Sequence, residues 1–332
     1  MIGGGAVIGI DVGGTSITVD LVELTGRSLF TATRPTLRGA DALAGVLSQL
    51  AAAREAARDL GTSVLGVGVL SPGHVDEGGG VVRFASNLEW RELDLQARIR
   101  AATGSRVPVL LGHDVRWAGI AEGALGAAAG LEDYALVSIG TGIAACLVSG
   151  GHVLSGAAGS AGEFGHATVF PGGDLCACGR TGCVDTYASG AALLRRYRAL
   201  GGARELHDVI ELLATLSEDP VAAQVWDEGL EALARGLCTL TLTMDPGTIV
   251  FAGGISGAGE ALTGPLRCLL EEQLLWKAAP ELAISPLGAS TGRAGAVLLA
   301  LTAAERRHRA QAWDAETVGA WTRTEGNAAV PA

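Results

Sequence analysis

The sequence predicts an α/β protein with two lobes, and three observations support this. The chain has 332 residues, more than a single compact core usually serves. Buried runs of β-branched residues alternate with Ala- and Leu-rich segments of helical spacing, which is typical of α/β proteins. A strand, a glycine turn and a second strand follow one another at 6–24 and again at 135–148. This weak internal duplication indicates that each lobe opens with a hairpin whose turn can hold phosphate.

The first lobe is predicted from strands and helices that alternate along the chain. We expect strands at 6–11, 17–24, 64–70 and 107–111, and helices at 40–59, 93–103 and 117–126. The first of these helices ends before Gly61, a residue suited to the left-handed turn that closes a helix. The N-terminal lobe is therefore predicted to comprise 1–116 together with 294–312.

The second lobe is predicted to comprise 117–293, with a metal-binding segment at 163–185. We expect strands at 135–139, 143–148 and 248–252, and helices at 191–244 with a break near 217–220, at 262–276 and at 294–309. The last of these helices belongs to the first lobe. After Trp313 the composition turns polar without periodicity, which predicts a mobile tail at 313–332.

Charge and composition disfavour several classes of function. The formal net charge is -11 and the isoelectric point is about 5.0, so we expect neither nucleic acid nor a membrane surface as a partner. A basic signal peptide and a long apolar span are both lacking in the sequence, which predicts a cytoplasmic protein. Lys277 is the only lysine and there is no G-x-x-x-x-G-K-[ST] loop, so any ATP chemistry would not be of the Walker type.

The densest chemical signal is a cluster of one histidine and three cysteines. His166, Cys176, Cys178 and Cys183 lie close together in a glycine-rich segment, and this ligand set fits a closed tetrahedral zinc site of structural type. The alternative is a group of free buried cysteines beside an unrelated histidine. The remaining cysteines lie in apolar runs and are expected to be core residues: Cys146, Cys238 and Cys268.

Two glycine turns are candidate phosphate sites. In Asp11-x-Gly13-Gly14-Thr15 the backbone N–H groups can approach phosphate oxygens, Thr15 can add a hydroxyl, and Asp11 can orient Mg²⁺ through water. The second turn is Gly140-Thr141-Gly142, and the two together could hold one triphosphate. An ordinary hairpin turn is the alternative for each.

His113 and Asp114 follow a predicted strand at its carboxyl end, where α/β enzymes place ligand groups. A carboxylate there can accept the proton of an attacking hydroxyl during phosphoryl transfer. The alternative role for Asp114 is to cap the helix that follows.

These motifs in this order resemble the ROK family of repressors, open reading frames and sugar kinases. Besides those above, the resemblance includes Gly68-x-x-Ser71-Pro72-Gly73, Asn87-Leu88-Glu89-Trp90, Glu163-x-Gly165-His166, CACGRTGC and Asp245-Pro246 leading to Gly253-Gly254. The resemblance implies a two-lobed actin-like (ribonuclease H-like) ATPase fold with an interlobe cleft. It also implies ATP and Mg²⁺ as cofactors, with a structural Zn²⁺.

The resemblance assigns roles to individual residues. Asp114 matches the catalytic base, and Gly253 and Gly254 match the adenosine-binding segment. The sugar-binding positions are matched by Ser71, Gly73, Asn87, His113, Glu163, His166 and Asp185. His113 stands where these kinases usually have Asn and Asp185 where they usually have Glu, so the identity of the acceptor is left open.

The function predicted is an ATP-dependent kinase for a hydroxyl of a sugar or sugar-like polyol, with a hexose such as glucose as first choice. A cyclitol kinase is the second reading, because the two replaced positions could recognise a different hydroxyl pattern. A sugar-sensing repressor is disfavoured, since repressors of the family have a winged-helix domain before the Asp11 motif and Asp11 lies near the start here. An inactive sugar-binding paralogue is disfavoured by the retained Asp114. The resemblance further implies a homodimer or homotetramer.

Overall fold

The computed structural model describes residues 5–322, which form two compact units. One unit contains the described residues up to Ala129 together with those from Ser290 onward, and the other is Gly130–Ala289. The sequence predicts these divisions after 116 and before 294. In the structure 117–129 belong to the first unit instead. The reason is that the helix containing Trp117 packs closely against the helix containing Gly295: a Cβ added to Gly295 would lie 2.7 Å from the Trp117 backbone.

Strands and helices alternate along both units. The strands are β1 (Ala6–Val12), β2 (Ser16–Glu23), β3 (Ser28–Pro35), β4 (Val64–Ser71), β5 (His74–Asp76), β6 (Val81–Ala85), β7 (Trp90–Leu93), β8 (Val109–His113), β9 (Tyr134–Ile139), β10 (Ile143–Ser149), β11 (His152–Val153), β12 (Thr248–Ala252) and β13 (Glu281–Ile284). The helices are α1 (Gly39–Asp59), α2 (Leu95–Thr103), α3 (Asp114–Leu125), α4 (Asp185–Ala188), α5 (Gly190–Ala199), α6 (Val209–Leu213), α7 (Pro220–Met244), α8 (Glu260–Gln273), α9 (Thr291–Ala303) and α10 (Ala315–Thr322).

The first unit is built on a five-stranded sheet of order β3-β2-β1-β4-β8. Strands β1, β4 and β8 are parallel neighbours, and β2 and β3 complete the sheet as antiparallel strands. Glycines in β1 and β4 let α9 lie directly on the sheet: a Cβ on Gly68 would be 2.5 Å from the carbonyl oxygen of Ala296. The buried aliphatic residues of this sheet, α1 and α2 form the core of the unit.

A second, three-stranded sheet of the first unit, β5-β6-β7, was not predicted from the sequence. Its strands are short and mostly polar on one face, so neither a period of two nor an apolar run marks them clearly. Between β6 and β7 the chain makes a 3₁₀ turn at Ser86–Leu88. This turn contains the predicted substrate residue Asn87.

The second unit contains a five-stranded sheet of order β11-β10-β9-β12-β13. The hairpin of β9 and β10 has the same form as that of β1 and β2, and β12 runs parallel to β9 as β4 does to β1. The duplication predicted from the two glycine turns thus corresponds to a repeated sheet arrangement. The core lies between this sheet and helices α5 to α8.

Several predicted boundaries are wrong. Helix α3 begins at Asp114, three residues before the expected start, and the segment predicted as helix over 191–244 divides into α5, α6 and α7. The helix expected to reach 309 ends at Ala303. Of the three cysteines expected in the core, Cys146 is buried and Cys238 is half-buried, but Cys268 is exposed on α8, so that prediction is wrong. The tail prediction is also wrong up to residue 322, because α10 packs on the first unit: the Trp321 side chain is fully buried and donates to the Gly26 carbonyl oxygen at 2.9 Å. Residues 323–332 lie outside the described part of the chain.

Among residues 5–322, no helix combines the length and apolar character that a membrane crossing requires.

Candidate active site

Three parallel strands of the first unit bring predicted site residues to one edge of the sheet. Asp11 near the end of β1 is paired in register with Leu70, and Ser71 at the end of β4 is paired with His113 at the end of β8. The carboxyl ends of parallel strands are where open α/β sheets bind ligands. Asp11, Ser71 and the His113-Asp114 pair therefore lie together, as the strand-end argument predicts.

His113, and not Asp114, is the N-cap of α3. The Nδ1 atom of His113 accepts a hydrogen bond from the Arg116 backbone N–H at 3.3 Å. Asp114 is the first helical residue, and its Oδ1 accepts from the Val115 N–H at 2.7 Å. Its Oδ2 makes no hydrogen bond or ion pair within residues 5–322. The capping alternative for Asp114 is therefore wrong, and one carboxylate oxygen is left available for chemistry.

The Asp11 carboxyl has a raised pKa that depends on the charged groups around it. Its pKa is raised to about 7, first by burial and then by the nearby carboxylates of Asp114 and Asp20, with the Arg293 guanidinium opposing them. The start of α9 lies against this carboxylate, since a Cβ on Gly292 would be 2.4 Å from Asp11 Oδ2. Arg293, from the same turn, is held by a buried ion pair with Asp20 in which Nε and Oδ2 are 2.9 Å apart. A cation bound beside the Asp11 carboxylate would favour its ionised form.

The remaining predicted residues of the first unit differ in exposure. Ser71 is fully buried, and its hydroxyl donates to the Pro72 carbonyl oxygen at 3.1 Å. Gly73 has φ of 89° and lies so close to β6 that a Cβ would be 2.3 Å from the Phe84 carbonyl oxygen, so this position requires glycine. Asn87 is exposed, and its amide makes no hydrogen bond within residues 5–322. The Asn87 amide is thus free to bind a ligand.

Two glycine segments of the second unit follow adjacent parallel strands. Gly140-Thr141-Gly142 joins β9 to β10, and Gly253-Gly254 follows β12, whose last residue Ala252 is paired with Ser138. The two segments are close enough that a Cβ on Gly253 would be 2.5 Å from the Ile139 carbonyl oxygen. Thr141 and Gly142 are exposed. The structure therefore brings together the two predicted nucleotide segments of this unit.

The predicted sugar residues of the second unit lie beside the β9–β10 turn. Asp185 accepts a hydrogen bond from the Ile143 N–H through Oδ1 at 2.8 Å, and burial raises the pKa of its carboxyl. Glu163 is exposed and precedes a 3₁₀ turn at Phe164–His166. Gly165 in that turn lies against β10, where a Cβ would be 2.3 Å from the Ile143 carbonyl oxygen. Thus Asp185 is tied to the glycine turn by one of its oxygens.

The four predicted metal ligands converge. One ligand atom from each of His166, Cys176, Cys178 and Cys183 lies within 4.8 Å of all the others. The His166 Nδ1 is 3.7 Å from the Cys176 sulfur, and the sulfurs of Cys178 and Cys183 are also 3.7 Å apart. Zinc–sulfur bonds of about 2.3 Å in a tetrahedron give sulfur–sulfur edges of about 3.8 Å, so the cluster has the dimensions of a zinc site.

Burial and the two neighbouring thiols raise the pKa of Cys183 to about 12. Burial also raises the pKa of Cys176, whereas the Arg180 backbone N–H lowers the pKa of the exposed Cys178. The two buried thiols therefore resist ionisation by themselves, and a bound cation would stabilise their thiolate forms.

The metal segment is fastened to α5 and α7 by two arginines. Arg196 forms ion pairs with Asp174 and Glu228, and its guanidinium lies 4.4 Å from the centre of the Tyr187 ring. Arg235 lies 4.7 Å from the centre of the Phe170 ring in the same way. These contacts hold the segment on the helices independently of the four ligands.

The chain matches the model of the ROK family over residues 7–303. It belongs to the ROK family. It is 30% identical over 315 residues to a glucokinase of Streptomyces coelicolor, covering 89% of this chain and 98% of that one. It is 31% identical over 301 residues to the kanosamine kinase of Amycolatopsis mediterranei, covering 88% and 95%. Among solved structures, a ROK family glucokinase from Streptomyces griseus in complex with glucose and AMPPNP matches with a TM-score of 0.76 and 31% identity, covering 90% of this chain and 100% of that one.

These matches confirm the resemblance to the ROK family. The fold is the two-lobed actin-like ATPase fold of that family. The chain is an ATP-dependent sugar kinase.

Two residues of this ROK kinase that sequence reasoning missed surround the His113-Asp114 pair. Glu77, in the β5–β6 turn, accepts from the His113 backbone N–H at 2.9 Å and from Arg116 Nε at 3.0 Å through the same oxygen. Arg116 is buried on α3. It is the only cation of that otherwise apolar and acidic helix, a signal that could have identified it. Nothing local in the sequence marks Glu77.

Proposed function

We propose that this ROK kinase transfers the γ-phosphoryl group of ATP to a hydroxyl of a hexose or hexose-like polyol, with Asp114 as the general base. The observation on which this rests is the hydrogen bonding at the start of α3. His113 caps the helix, Asp114 Oδ1 accepts from Val115, and Asp114 Oδ2 is left without a partner within residues 5–322. A carboxylate oxygen with no other bond can accept the proton of the attacking hydroxyl.

The glycine turns would hold the nucleotide. Gly14 and Thr15 in the first unit, and Thr141 and Gly142 in the second, are exposed residues whose backbone N–H groups could bind phosphate oxygens. The N–H groups of Gly13 and Gly140 close their own turns instead, by donating to the carbonyl oxygens of Ser16 at 2.9 Å and Gly142 at 3.0 Å. Gly253 and Gly254 would lie beside the adenosine. Asp11 would orient Mg²⁺ through water, and the positive charge of the metal would offset the negative charge that develops on the transferred group.

A structural zinc would be bound by His166 Nδ1 and the sulfurs of Cys176, Cys178 and Cys183. With all four positions filled by protein atoms, the metal would stabilise the segment and take no direct part in the reaction. Zinc on Nδ1 would leave the proton of the His166 ring on Nε2, so the ring could donate a hydrogen bond to a sugar oxygen. Glu163 and Asp185, which lie beside the same β9–β10 turn, would also contact the sugar.

Glucose is the first choice of acceptor, and a cyclitol is the second. The second is favoured by His113 and Asp185, because each has a different length from the side chain usual at its position and each is fixed by a backbone hydrogen bond. Sites that hydrogen-bond hydroxyl groups discriminate strongly between substrates that differ in those groups.

The proposal also includes a homodimer or homotetramer, which light scattering on the purified protein would measure.

The test is ADP release over a panel of hexoses, hexosamines, N-acylhexosamines and cyclitols, followed by Asp114→Asn assayed with the best acceptor. The amide keeps the size of the side chain but cannot accept the proton, so kcat should fall about 10²- to 10⁴-fold while nucleotide affinity changes little. A loss of only two- or three-fold, which is about 0.5 kcal/mol of barrier, would remove Asp114 as the base.

A further inference from the structure

We propose that Glu77 and Arg116 are positioning residues that fix the imidazole of His113 with its proton on Nε2, so that an N–H donor faces the acceptor substrate beside Asp114. This inference rests on the proposed function, and it adds residues and a hydrogen-bonding rule that the ROK motifs do not contain. It is drawn from contacts within the first unit alone.

Glu77 fastens three parts of the site through one oxygen atom. Its Oε1 accepts from the backbone N–H of His113 at 2.9 Å and from Nε of Arg116 at 3.0 Å. The first bond fixes the end of β8, and the second fixes the first turn of α3. Because Glu77 itself lies in the turn between β5 and β6, these bonds also tie the small sheet next to Asn87 to the strand end that precedes Asp114.

Arg116 contributes to the same arrangement through two groups. Its side chain is 5% exposed, so its charge needs a nearby carboxylate, which Glu77 supplies. Its backbone N–H donates to His113 Nδ1. A shift of Arg116 after loss of Glu77 would therefore also disturb the hydrogen bond that holds the imidazole ring.

The hydrogen bond at Nδ1 decides the tautomer of His113. A nitrogen that accepts a hydrogen bond has a lone pair there, so the proton of the neutral ring must be on Nε2. Nδ1 is also 3.4 Å from Asp114 Oδ1, but a proton on Nδ1 would face the backbone N–H of Arg116, which can only donate. His113 Nε2 makes no hydrogen bond within residues 5–322. It is nevertheless not one of the fully buried unpaired atoms there, so its surface is open to solvent. The Nε2–H group is thus accessible to a ligand.

A fixed Nε2–H group restricts which acceptors bind well. It donates and cannot accept, so its partner must be a hydroxyl or carbonyl oxygen of the substrate. An asparagine at this position could cap the helix in the same way through its oxygen, but its donor nitrogen would be one atom closer to the backbone. The His113 donor therefore reaches further and favours an acceptor whose oxygen lies correspondingly further from the end of β8.

The first test measures the tautomer without any substrate. The ¹⁵N shifts of the imidazole nitrogens distinguish a protonated from an unprotonated nitrogen, and His113→Asn identifies the signal among the six histidines. We expect Nε2–H in the wild type and in Glu77→Gln, which keeps the accepting oxygen, and a mixture of tautomers in Glu77→Ala. A wild-type signal with the proton on Nδ1 would overturn the proposal, whatever the kinase assays show.

The second test measures turnover of the best acceptor from the panel. Glu77→Ala should lower kcat/KM for the acceptor about 10- to 100-fold, since small misplacements of reacting groups have effects of this size, while KM for ATP should stay within about two-fold. Glu77→Gln should recover most of the loss. The matched control is Glu92→Ala, which removes an exposed carboxylate paired with Arg83 on the same small sheet and should leave both constants unchanged.

The two tests separate failure of the proposal from failure of the proposed function. If the wild type phosphorylates no member of the panel, the proposed function fails and the tautomer measurement alone decides the proposal. If the wild type is active, full activity of Glu77→Ala, or equal losses in Glu77→Ala and Glu77→Gln, would overturn the positioning role. Should Glu77→Ala not fold, Glu77→Gln still tests the tautomer.

Discussion

The raised pKa of Asp11 predicts how the stability of the protein changes with pH. In the unfolded chain this carboxyl has its ordinary value of 3.8, and in the folded protein burial and the nearby Asp114 raise the pKa to about 7. Between these values the folded state binds more protons at this position than the unfolded state. The free energy of unfolding contributed by Asp11 is therefore greatest below pH 4 and is lost as pH rises through about 7.

The size of the effect follows from these two values. Integrating the difference in bound protons from pH 5 to pH 8 gives a loss of about 2 to 3 kcal/mol for a group with these folded and unfolded pKa values. Asp11→Asn has no proton to lose, so its stability should not show this decline. The wild type should become less stable relative to the variant by about 2 to 3 kcal/mol between pH 5 and pH 8.

The assay is urea unfolding of both proteins without nucleotide or Mg²⁺ at several pH values. Other titrating groups, including His166 and the cysteines, are common to both proteins and cancel in the difference. Asp114→Asn offers a second check, because removing that neighbouring charge should lower the pKa of Asp11 and move the decline to lower pH. Parallel stability curves for the wild type and Asp11→Asn, within about 0.5 kcal/mol, would refute the reasoning.

Three further predictions concern the metal, specificity and the C-terminal helix. Cys178→Ala should lower zinc content and Tm, because structural zinc contributes folding free energy. Cys268→Ala, which changes an exposed cysteine outside the cluster, should change neither, and zinc-free wild-type protein would contradict the prediction. The double variant His113→Asn with Asp185→Glu should change relative kcat/KM among polyols by about tenfold or more, and an unchanged ranking would mean that other residues select the acceptor. Trp321→Ala should lower the free energy of unfolding by about 3–5 kcal/mol, since the Trp321 side chain is fully buried. Urea titrations would measure this, and a loss below about 1 kcal/mol would show that α10 contributes little to stability.

The strands and turns that contain the site were predictable because their signals are local. Short apolar β-branched runs followed by glycines predicted β1, β4, β9 and β12, and the structure has them within a few residues. The convergence of His166 with the three cysteines was predictable for the same reason, since the four residues fall within one short segment and their spacing is specific. The small sheet β5-β6-β7 and helix α10 were missed because their sequences lack clear periodicity and depend on packing against distant residues.

By itself the sequence determined the fold family, the order of the glycine turns and the ligand set, because each depends on residue types at short spacing. Only the tertiary structure decided how the proposed base is arranged. It made His113 the cap of α3 and freed Asp114, placed Glu77 against a strand end 36 residues away, and paired Asp20 with Arg293 across 273 residues. Such contacts depend on which strands are neighbours in the sheet and where a helix begins, and neither periodicity nor motif spacing contains that information.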